Sequence, residues 1–129
     1  MSNQVIAEIK LEGSVPSKKN QRINTRSGKS FPSKSFVQWQ EDAMWQVRSQ
    51  LKNLHIFVPV RIDVVIYFGR NSKADLDNRI TSILDMLVEC MVLRDDRFEY
   101  VPEMSCRAEY SKGAKAGALV TIKEVAPVV

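Results

Sequence analysis

The sequence is poor in the residues that build covalently linked or zinc-stabilised scaffolds. Its 129 residues include two cysteines, Cys90 and Cys106, and one histidine, His55. Two cysteines cannot form a disulfide framework or a four-thiolate zinc site. No apolar run approaches the roughly 18 residues needed to span a bilayer, and the start, Met1-Ser2-Asn3-Gln4, lacks the pattern of a signal peptide. We therefore expect a soluble protein of the cytoplasm with no membrane partner.

The composition that remains is that of an ordinary folded protein. Apolar residues make up 44% of the chain and charged residues 26%, which argues against general disorder. No repeat or linker-like tract divides the sequence, and its length suits one core. We expect a single domain over residues 1–129.

The net charge of +4 is distributed unevenly along the chain. Residues 1–64 carry 10 basic and 5 acidic side chains, whereas residues 65–129 carry 9 and 10. Residues 14–40 contain six basic side chains and no acidic one. A basic segment of this kind is typical of contact with phosphate or nucleic acid, although a solvated loop has the same composition.

Hydrophobic periodicity predicts the first half of the fold. Residues 5–11 alternate as a strand, and residues 13–34 are rich in loop-forming residues. A helix is predicted to begin at Ser35, because Ser35 and Gln38 have the spacing of a capping box. Residues 58–68 alternate again and predict a second strand of about ten residues.

The second half is predicted to add one helix and two strands. Asp77 suits the N-cap of a helix whose apolar residues include Ile80, Ile83, Leu84 and Leu87. Residues 98–110 and 118–125 predict strands that pair as an antiparallel hairpin. The order β-α-β-α-β-β favours an α+β domain with a mixed β-sheet and two main helices.

Acidic residues cluster on either side of the second predicted helix. Asp75 and Asp77 precede or begin it, and Asp95-Asp96 follows it. Two or three carboxylates suffice to bind Mg²⁺, which prefers oxygen ligands and keeps several waters. A helix of fourteen residues separates its two ends by about 20 Å, so Asp95-Asp96 must fold back to join the first pair. An aspartate before a helix is also a common cap.

Carboxylate side chains that bind a metal ion, next to basic side chains that bind phosphate, are typical of enzymes that catalyse metal-assisted phosphoryl transfer. One interpretation is a nucleotidyltransferase, which also uses an Asp-x-Asp pair with a third aspartate. That enzyme needs a Gly-Ser element to hold the nucleotide, and none precedes Asp75. The residues by themselves indicate a metal-dependent enzyme that acts on phosphodiesters or nucleotides.

Three segments carry a resemblance to a known family. In their order and spacing, Asp75-Leu76-Asp77-Asn78, Ile83-Leu84-Asp85-Met86-Leu87 and Leu93-Arg94-Asp95-Asp96 resemble the RusA family of Holliday junction resolvases. Upstream, Val15-Pro16-Ser17-Lys18-Lys19-Asn20 resembles the family's Pro-Ser-x-Asn stretch. The resemblance implies a RusA-like fold and a Mg²⁺-dependent homodimer that resolves four-way DNA junctions by paired symmetric nicks in recombination and repair. Family members are often encoded by phages or prophages, which implies a bacterial or phage-infected cell.

The resemblance also implies roles for individual residues. Asp75, Asp77 and Asp96 match the family's essential aspartates, and would be the catalytic residues that bind Mg²⁺, with Mn²⁺ as a substitute. Asp95, Asn78 and Asp85 are expected to be secondary. Basic and amide side chains are expected to contact backbone phosphates of branched DNA: Lys18, Lys19, Asn20, Arg22, Arg26, Lys29, Arg70 and Lys73.

One departure from the family pattern concerns position 81. The family has a functionally important lysine there, and this chain has Thr81. A lysine can neutralise negative charge on the phosphate, whereas a threonine cannot. Arg79 or Lys73 is the candidate to supply that charge instead, although neither position is equivalent to position 81. A junction-binding protein with impaired catalysis is therefore an alternative to the active resolvase.

Overall fold

The structure is a computed structural model that describes residues 4–17, 22–24, 30–70 and 75–126. Six strands and two helices occur in these ranges. In chain order they are β1 (Val5–Glu12), β2 (Arg22–Asn24), β3 (Ser30–Pro32), α1 (Lys34–Leu51), β4 (Val60–Phe68), α2 (Leu76–Glu89), β5 (Glu103–Tyr110) and β6 (Gly117–Glu124). The α+β class with a mixed sheet and two main helices is confirmed. The short antiparallel β2–β3 pair lies within the predicted loop and was not expected.

The predicted β5–β6 hairpin is wrong. The four-stranded sheet has the order β1-β6-β4-β5, in which β6 pairs antiparallel with both β1 and β4, and β5 pairs parallel with β4. Burial explains this arrangement. Residues of β6 alternate between buried and partly buried, whereas β5 is exposed along nearly its whole length. The more apolar strand takes the central position, and the polar strand takes the edge.

Gly117 permits the close contact between β6 and β1. A Cβ atom at this position would lie 2.4 Å from the carbonyl oxygen of Leu11. Because side-chain carbon atoms do not approach a backbone oxygen so closely, only glycine fits without moving β1.

The core lies between one face of the sheet and the two helices. Every second residue of β1, β4 and β6 is buried there, together with the apolar side of α2. Burial of this apolar surface is the main stabilising contribution to such a layered fold. In the described part of the chain, neither helix is long and apolar enough to cross a membrane.

The start of α1 differs from the predicted capping box at Ser35. Ser33 is the N-cap, its backbone is extended, and its Oγ accepts a hydrogen bond from the backbone N–H of Phe36 at 3.2 Å. The helix begins at Lys34, so Ser35 lies in its first turn. The serine with an extended backbone is the one whose side chain can reach the free N–H groups.

A short segment after β1 docks on α2. Val15 and Ser17 of this docking segment, residues 15–17, are buried. The hydroxyl of Ser82, a fully buried residue in the middle of α2, donates to the carbonyl oxygen of Pro16 at 2.7 Å. The guanidinium of Arg79 donates through Nη1 to the carbonyl oxygen of Val15. Two side chains of α2 thus hold the backbone of a segment more than 60 residues earlier in the chain.

Replacing Ser82 should weaken this docking. Ser82→Ala removes the donor to Pro16, and we expect the free energy of unfolding to fall by about 1 kcal/mol. Urea denaturation measures the change. Thr81→Ala is the matched control, because the Thr81 hydroxyl is exposed and donates only to its own helix, at Asp77 O. The control should change stability by less than about 0.5 kcal/mol. Equal effects of the two substitutions would contradict the role assigned to Ser82.

Candidate active site

Two exposed carboxylates begin α2. Asp75 is the residue before the first helical turn, with φ −78° and ψ 130°, and its side chain makes no capping hydrogen bond. The prediction that Asp77 is the N-cap is wrong, because the helix begins at Leu76 and Asp77 lies within the first turn. There Asp77 Oδ1 accepts from the backbone N–H of Asn78 at 3.0 Å. An acidic residue at this end is favoured by the helix dipole. The carboxylate of Asp75 is therefore not used as a cap.

After α2 the chain turns back toward the helix. Met91 has a left-handed backbone with φ 66°, and the backbone N–H groups of Val92 and Leu93 both donate to Leu87 O. Leu93 then forms an isolated parallel bridge with Ile56. This turn places Asp95 and Asp96 beside α2, where they share a shallow pocket of about 270 Å³ with Asp85, Glu89 and Gln40.

The two adjacent aspartates have opposite pKa shifts. Burial raises the pKa of Asp96, and the neighbouring carboxyls of Asp95 and Asp85 raise it further. The pKa of Asp95 is lowered, chiefly because its carboxylate accepts the backbone N–H of Asp96, with a further contribution from Arg97. Asp95 Oδ1 lies 2.7 Å from that nitrogen, and Oδ2 lies 2.9 Å from Arg97 Nε. Asp95 is thus held by neighbours, whereas Asp96 is crowded by like charges.

The predicted metal ligands are divided between the two ends of α2. In residues 4–17, 22–24, 30–70 and 75–126, no three His, Cys, Asp or Glu side chains form a group that could hold a metal ion. Asp75 and Asp77 lie at the start of the helix, and Asp96 lies beside Asp85. Asp85 is eight positions after Asp77 in the helix, which corresponds to about 12 Å along the axis. A common metal site requires the segment after α2 to fold back toward Asp75 and Asp77. In this single chain the segment does fold back, but it brings Asp96 to Asp85 and not to that pair. Their joint role as ligands stays a prediction.

The docking segment crosses α2 between these two acidic groups. By their spacing, Asn78, Ser82, Asp85 and Glu89 lie along one side of the helix. At the start of that face, Asn78 Nδ2 lies 3.5 Å from Asp75 Oδ2. At its centre, Ser82 is covered by Pro16. The described part of this segment therefore ends at Ser17, close to the middle of α2.

The described cysteines and the histidine do not offer an activated nucleophile. Burial raises the pKa of both Cys90 and Cys106, which disfavours the reactive thiolate. His55 Nδ1 lies 2.8 Å from the carbonyl oxygen of Met91, and must donate to it because a carbonyl can only accept.

The predicted DNA-contacting residues are only partly visible. Arg70 is exposed where β4 ends, close in sequence to Asp75. Strand β2 includes the backbone of Arg22, whose side chain is not described. The other predicted contacts lie outside the described residues: Lys18, Lys19, Asn20, Arg26, Lys29 and Lys73.

One cation of the site, Arg79, was predicted only as a substitute for the family lysine and was not among the predicted DNA contacts. Arg79 is half-buried, and its electrostatic interaction with Asp75 is favourable. Its position four residues after Asp75 places the two side chains on one side of the helix. That spacing is the sequence signal that could have identified it.

Comparison with known proteins gives a consistent assignment. The family model described as "Endodeoxyribonuclease RusA" matches residues 12–123, which is most of the chain and includes all the acidic residues discussed. The protein named "Crossover junction endodeoxyribonuclease RusA" from Aquifex aeolicus (strain VF5) is 26% identical over 106 residues, which cover 82% of each chain. This chain belongs to the RusA family of endodeoxyribonucleases, enzymes that hydrolyse phosphodiester bonds of DNA.

Proposed function

We propose that this protein is a Holliday junction resolvase that uses a divalent metal to make paired symmetric nicks in four-way DNA during recombination and repair. The observation that carries the proposal is the start of α2. Asp75 and Asp77 are exposed there, and the carboxylate of Asp75 is not used as a helix cap. Membership of the RusA family supplies the reaction class.

The available side chains suit a hard divalent cation. Asp75, Asp77 and Asp96 offer carboxylate oxygens, which Mg²⁺ and Mn²⁺ both accept. Asp75 and Asp77 would bind as a pair with Asn78 beside them. Asp96 lies beside Asp85 in the single chain, so its assignment as the third ligand rests on the resemblance to the family and not on its distance from that pair. When bound, such a metal supplies a water of lowered pKa and neutralises charge on the leaving oxygen. Asp95 and Asp85 have secondary roles, in which their charges and hydrogen bonds act on Asp96.

The substrate's symmetry favours a homodimer. A four-way junction is close to two-fold symmetric, so paired nicks call for two active sites related by a two-fold axis. The predicted contacts through Lys18, Lys19, Asn20, Arg22, Arg26, Lys29, Arg70 and Lys73 would be to backbone phosphates. Binding through phosphates is nearly independent of sequence and depends steeply on salt. The protein would act in the cytoplasm of a bacterial or phage-infected cell.

A second candidate function is junction binding with impaired catalysis. Thr81 replaces the family lysine, is exposed, and uses its hydroxyl for a bond within the helix, to Asp77 O at 2.8 Å. Arg79 does not replace that lysine, because positions 79 and 81 differ by about 200° around the helix.

The alternative of a nucleotidyltransferase is disfavoured by the family assignment.

Removing the carboxylate of Asp75 should prevent cleavage of a four-way junction without preventing its binding. Asp75→Asn keeps the shape of the side chain but weakens metal binding. We expect the variant to bind a synthetic four-way junction and to nick it at least about a hundredfold more slowly than the wild type in Mg²⁺. Gel assays of binding and of single-turnover nicking measure the two effects. The matched control is Asp42→Asn, because Asp42 is an exposed helical carboxylate that contacts Gln38 on α1. Equal nicking by Asp75→Asn and the wild type would contradict the metal-site assignment.

The adjacent aspartates provide an internal comparison. Asp96→Asn should abolish most nicking, because this carboxylate is the proposed third ligand. Asp95→Asn should retain most of it, since Asp95 is occupied by Arg97 and a backbone N–H. Both variants are assayed at the same Mg²⁺ concentration, and a Mg²⁺ titration measures the metal affinity of each. Stronger damage from Asp95→Asn than from Asp96→Asn would reverse the assignment.

Restoring the family lysine tests the significance of Thr81. A helical side chain points back toward the N-terminus, so a lysine at this position would lie near Asp77, one turn earlier. We expect Thr81→Lys to raise the single-turnover nicking rate about tenfold by neutralising charge on the phosphate. Thr81→Gln is the control of similar length without the charge. An unchanged rate in Thr81→Lys would show that the missing lysine does not limit this protein.

A further inference from the structure

A small pocket lined in part by Arg79 lies at the end of the sheet where β4 terminates. It has a volume of about 340 Å³ and is bounded by Phe68, Gly69 and the turn between β5 and β6. That turn is held against β4 by hydrogen bonds from Ser111 N to Phe68 O and from Gly113 N to Gly69 O. A Cβ atom on Gly69 would meet the carbonyl oxygen of Ala114 at 2.1 Å. The walls of the pocket are therefore closely packed backbone.

Arg79 enters this pocket as a restrained cation. Its guanidinium lies over the ring of Phe68, 5.6 Å from the centroid, and Nη1 donates to Val15 O. Burial lowers the pKa of Arg79, while the charge of Asp75 opposes that shift. An arginine remains protonated at neutral pH even so. The guanidinium is thus held in one place before any ligand binds.

Part of the hydrogen-bonding capacity of Arg79 is not used. Its Nε is buried and has no hydrogen-bond partner among the residues that the structure describes. A buried N–H is normally paired, so the hydrogen bonding of this guanidinium is incomplete. A ligand in the pocket would contact the terminal nitrogens of Arg79, which lines it. Arg70, which is exposed, contributes a second cation to the same pocket. The described lining includes both arginines and no acidic residue.

We infer that the pocket is a subsite for one backbone phosphodiester of the bound DNA, held jointly by Arg79 and Arg70. Planar guanidinium groups match the geometry of phosphate oxygens, and the volume is too small for a duplex. Arg79 and Asp75 are one helical turn apart, about 6 Å along the axis. The subsite would therefore hold a phosphate close to the one that is cut. This inference rests on the proposed function, because it assumes that branched DNA is the ligand.

Arg79 also has a structural role, since it holds the docking segment. A loss of DNA affinity alone would not separate that role from phosphate binding. The salt dependence of binding does separate them, because its slope counts the phosphates that the protein neutralises. Each lost phosphate contact makes the plot of log affinity against log salt shallower by about 0.9 for B-DNA. A variant that is only less stable would keep the slope.

The test measures binding of a synthetic four-way junction at several salt concentrations, in EDTA so that the DNA is not cut. We expect Arg79→Gln and Arg70→Gln each to have a shallower slope than the wild type. Because both arginines hold the same phosphate, the double variant should lose about 0.9 in slope per bound protomer, and not twice that amount. The control is Arg107→Gln, since Arg107 is exposed on β5 and pairs with Glu109 at 3.0 Å. Its slope should equal that of the wild type.

The possible results are distinguishable. Wild-type protein that does not bind the junction would overturn the proposed function itself. Wild-type binding with an unchanged slope in folded Arg79→Gln would overturn only the subsite, as would an equal change in the Arg107→Gln control. If circular dichroism shows that Arg79→Gln does not fold, Arg70→Gln decides, because Arg70 is exposed. An unchanged slope in that variant also overturns the inference.

Discussion

The arrangement of this molecule depends on the docking of residues 15–17 across α2. Ser82 and Arg79 bind two consecutive backbone carbonyls, those of Pro16 and Val15. A buried carbonyl needs a partner, so this segment cannot leave the helix without losing hydrogen bonds. The contact fixes where the basic segment begins relative to the acidic residues. It thereby brings the two halves of the chain, which differ in charge, to one helix.

Charged residues elsewhere in the molecule are arranged differently. On the open face of the sheet, Asp63 lies 2.9 Å from Arg61, 3.3 Å from Lys123 and 2.5 Å from the hydroxyl of Ser105. Burial acts to raise the pKa of Asp63, but these partners hold it below the usual value. The charge of Asp63 is thus paired within the protein. Around α2, in contrast, Asp96 is crowded by acids and Arg79 retains a donor with no described partner. Incomplete pairing of this kind is typical of functional sites.

The sequence predicted the positions of individual helices and strands better than it predicted which strands pair in the sheet. Strict alternation predicted β1 and β4, and helical spacing of apolar residues predicted α2, because each pattern reflects burial of one face. The pairing of β6 with β1 and β4 could not be derived from the chain order, which favoured a hairpin with β5. That pairing depends on which strand buries more apolar surface in the assembled sheet.

For the candidate site, too, the sequence indicated local features but not the contacts between distant residues. The acidic segments on either side of α2 were evident in the sequence, but their separation depends on how the chain turns after Glu89. The left-handed residue Met91 and the contacts of Leu93 decide that turn, and place Asp96 beside Asp85. The spacing of Arg79 from Asp75 was evident in the sequence, but its contacts with Val15 and Phe68 were not.

We propose that this protein makes paired nicks in a four-way junction and that nicking requires a divalent metal ion. The most direct measurement follows wild-type protein on a junction whose four strands are labelled separately, in Mg²⁺ and in EDTA. The account predicts nicks at symmetric positions in two opposing strands in Mg²⁺, and intact bound junction in EDTA. Nicking in EDTA, or nicking confined to one strand when Mg²⁺ is present, would contradict it.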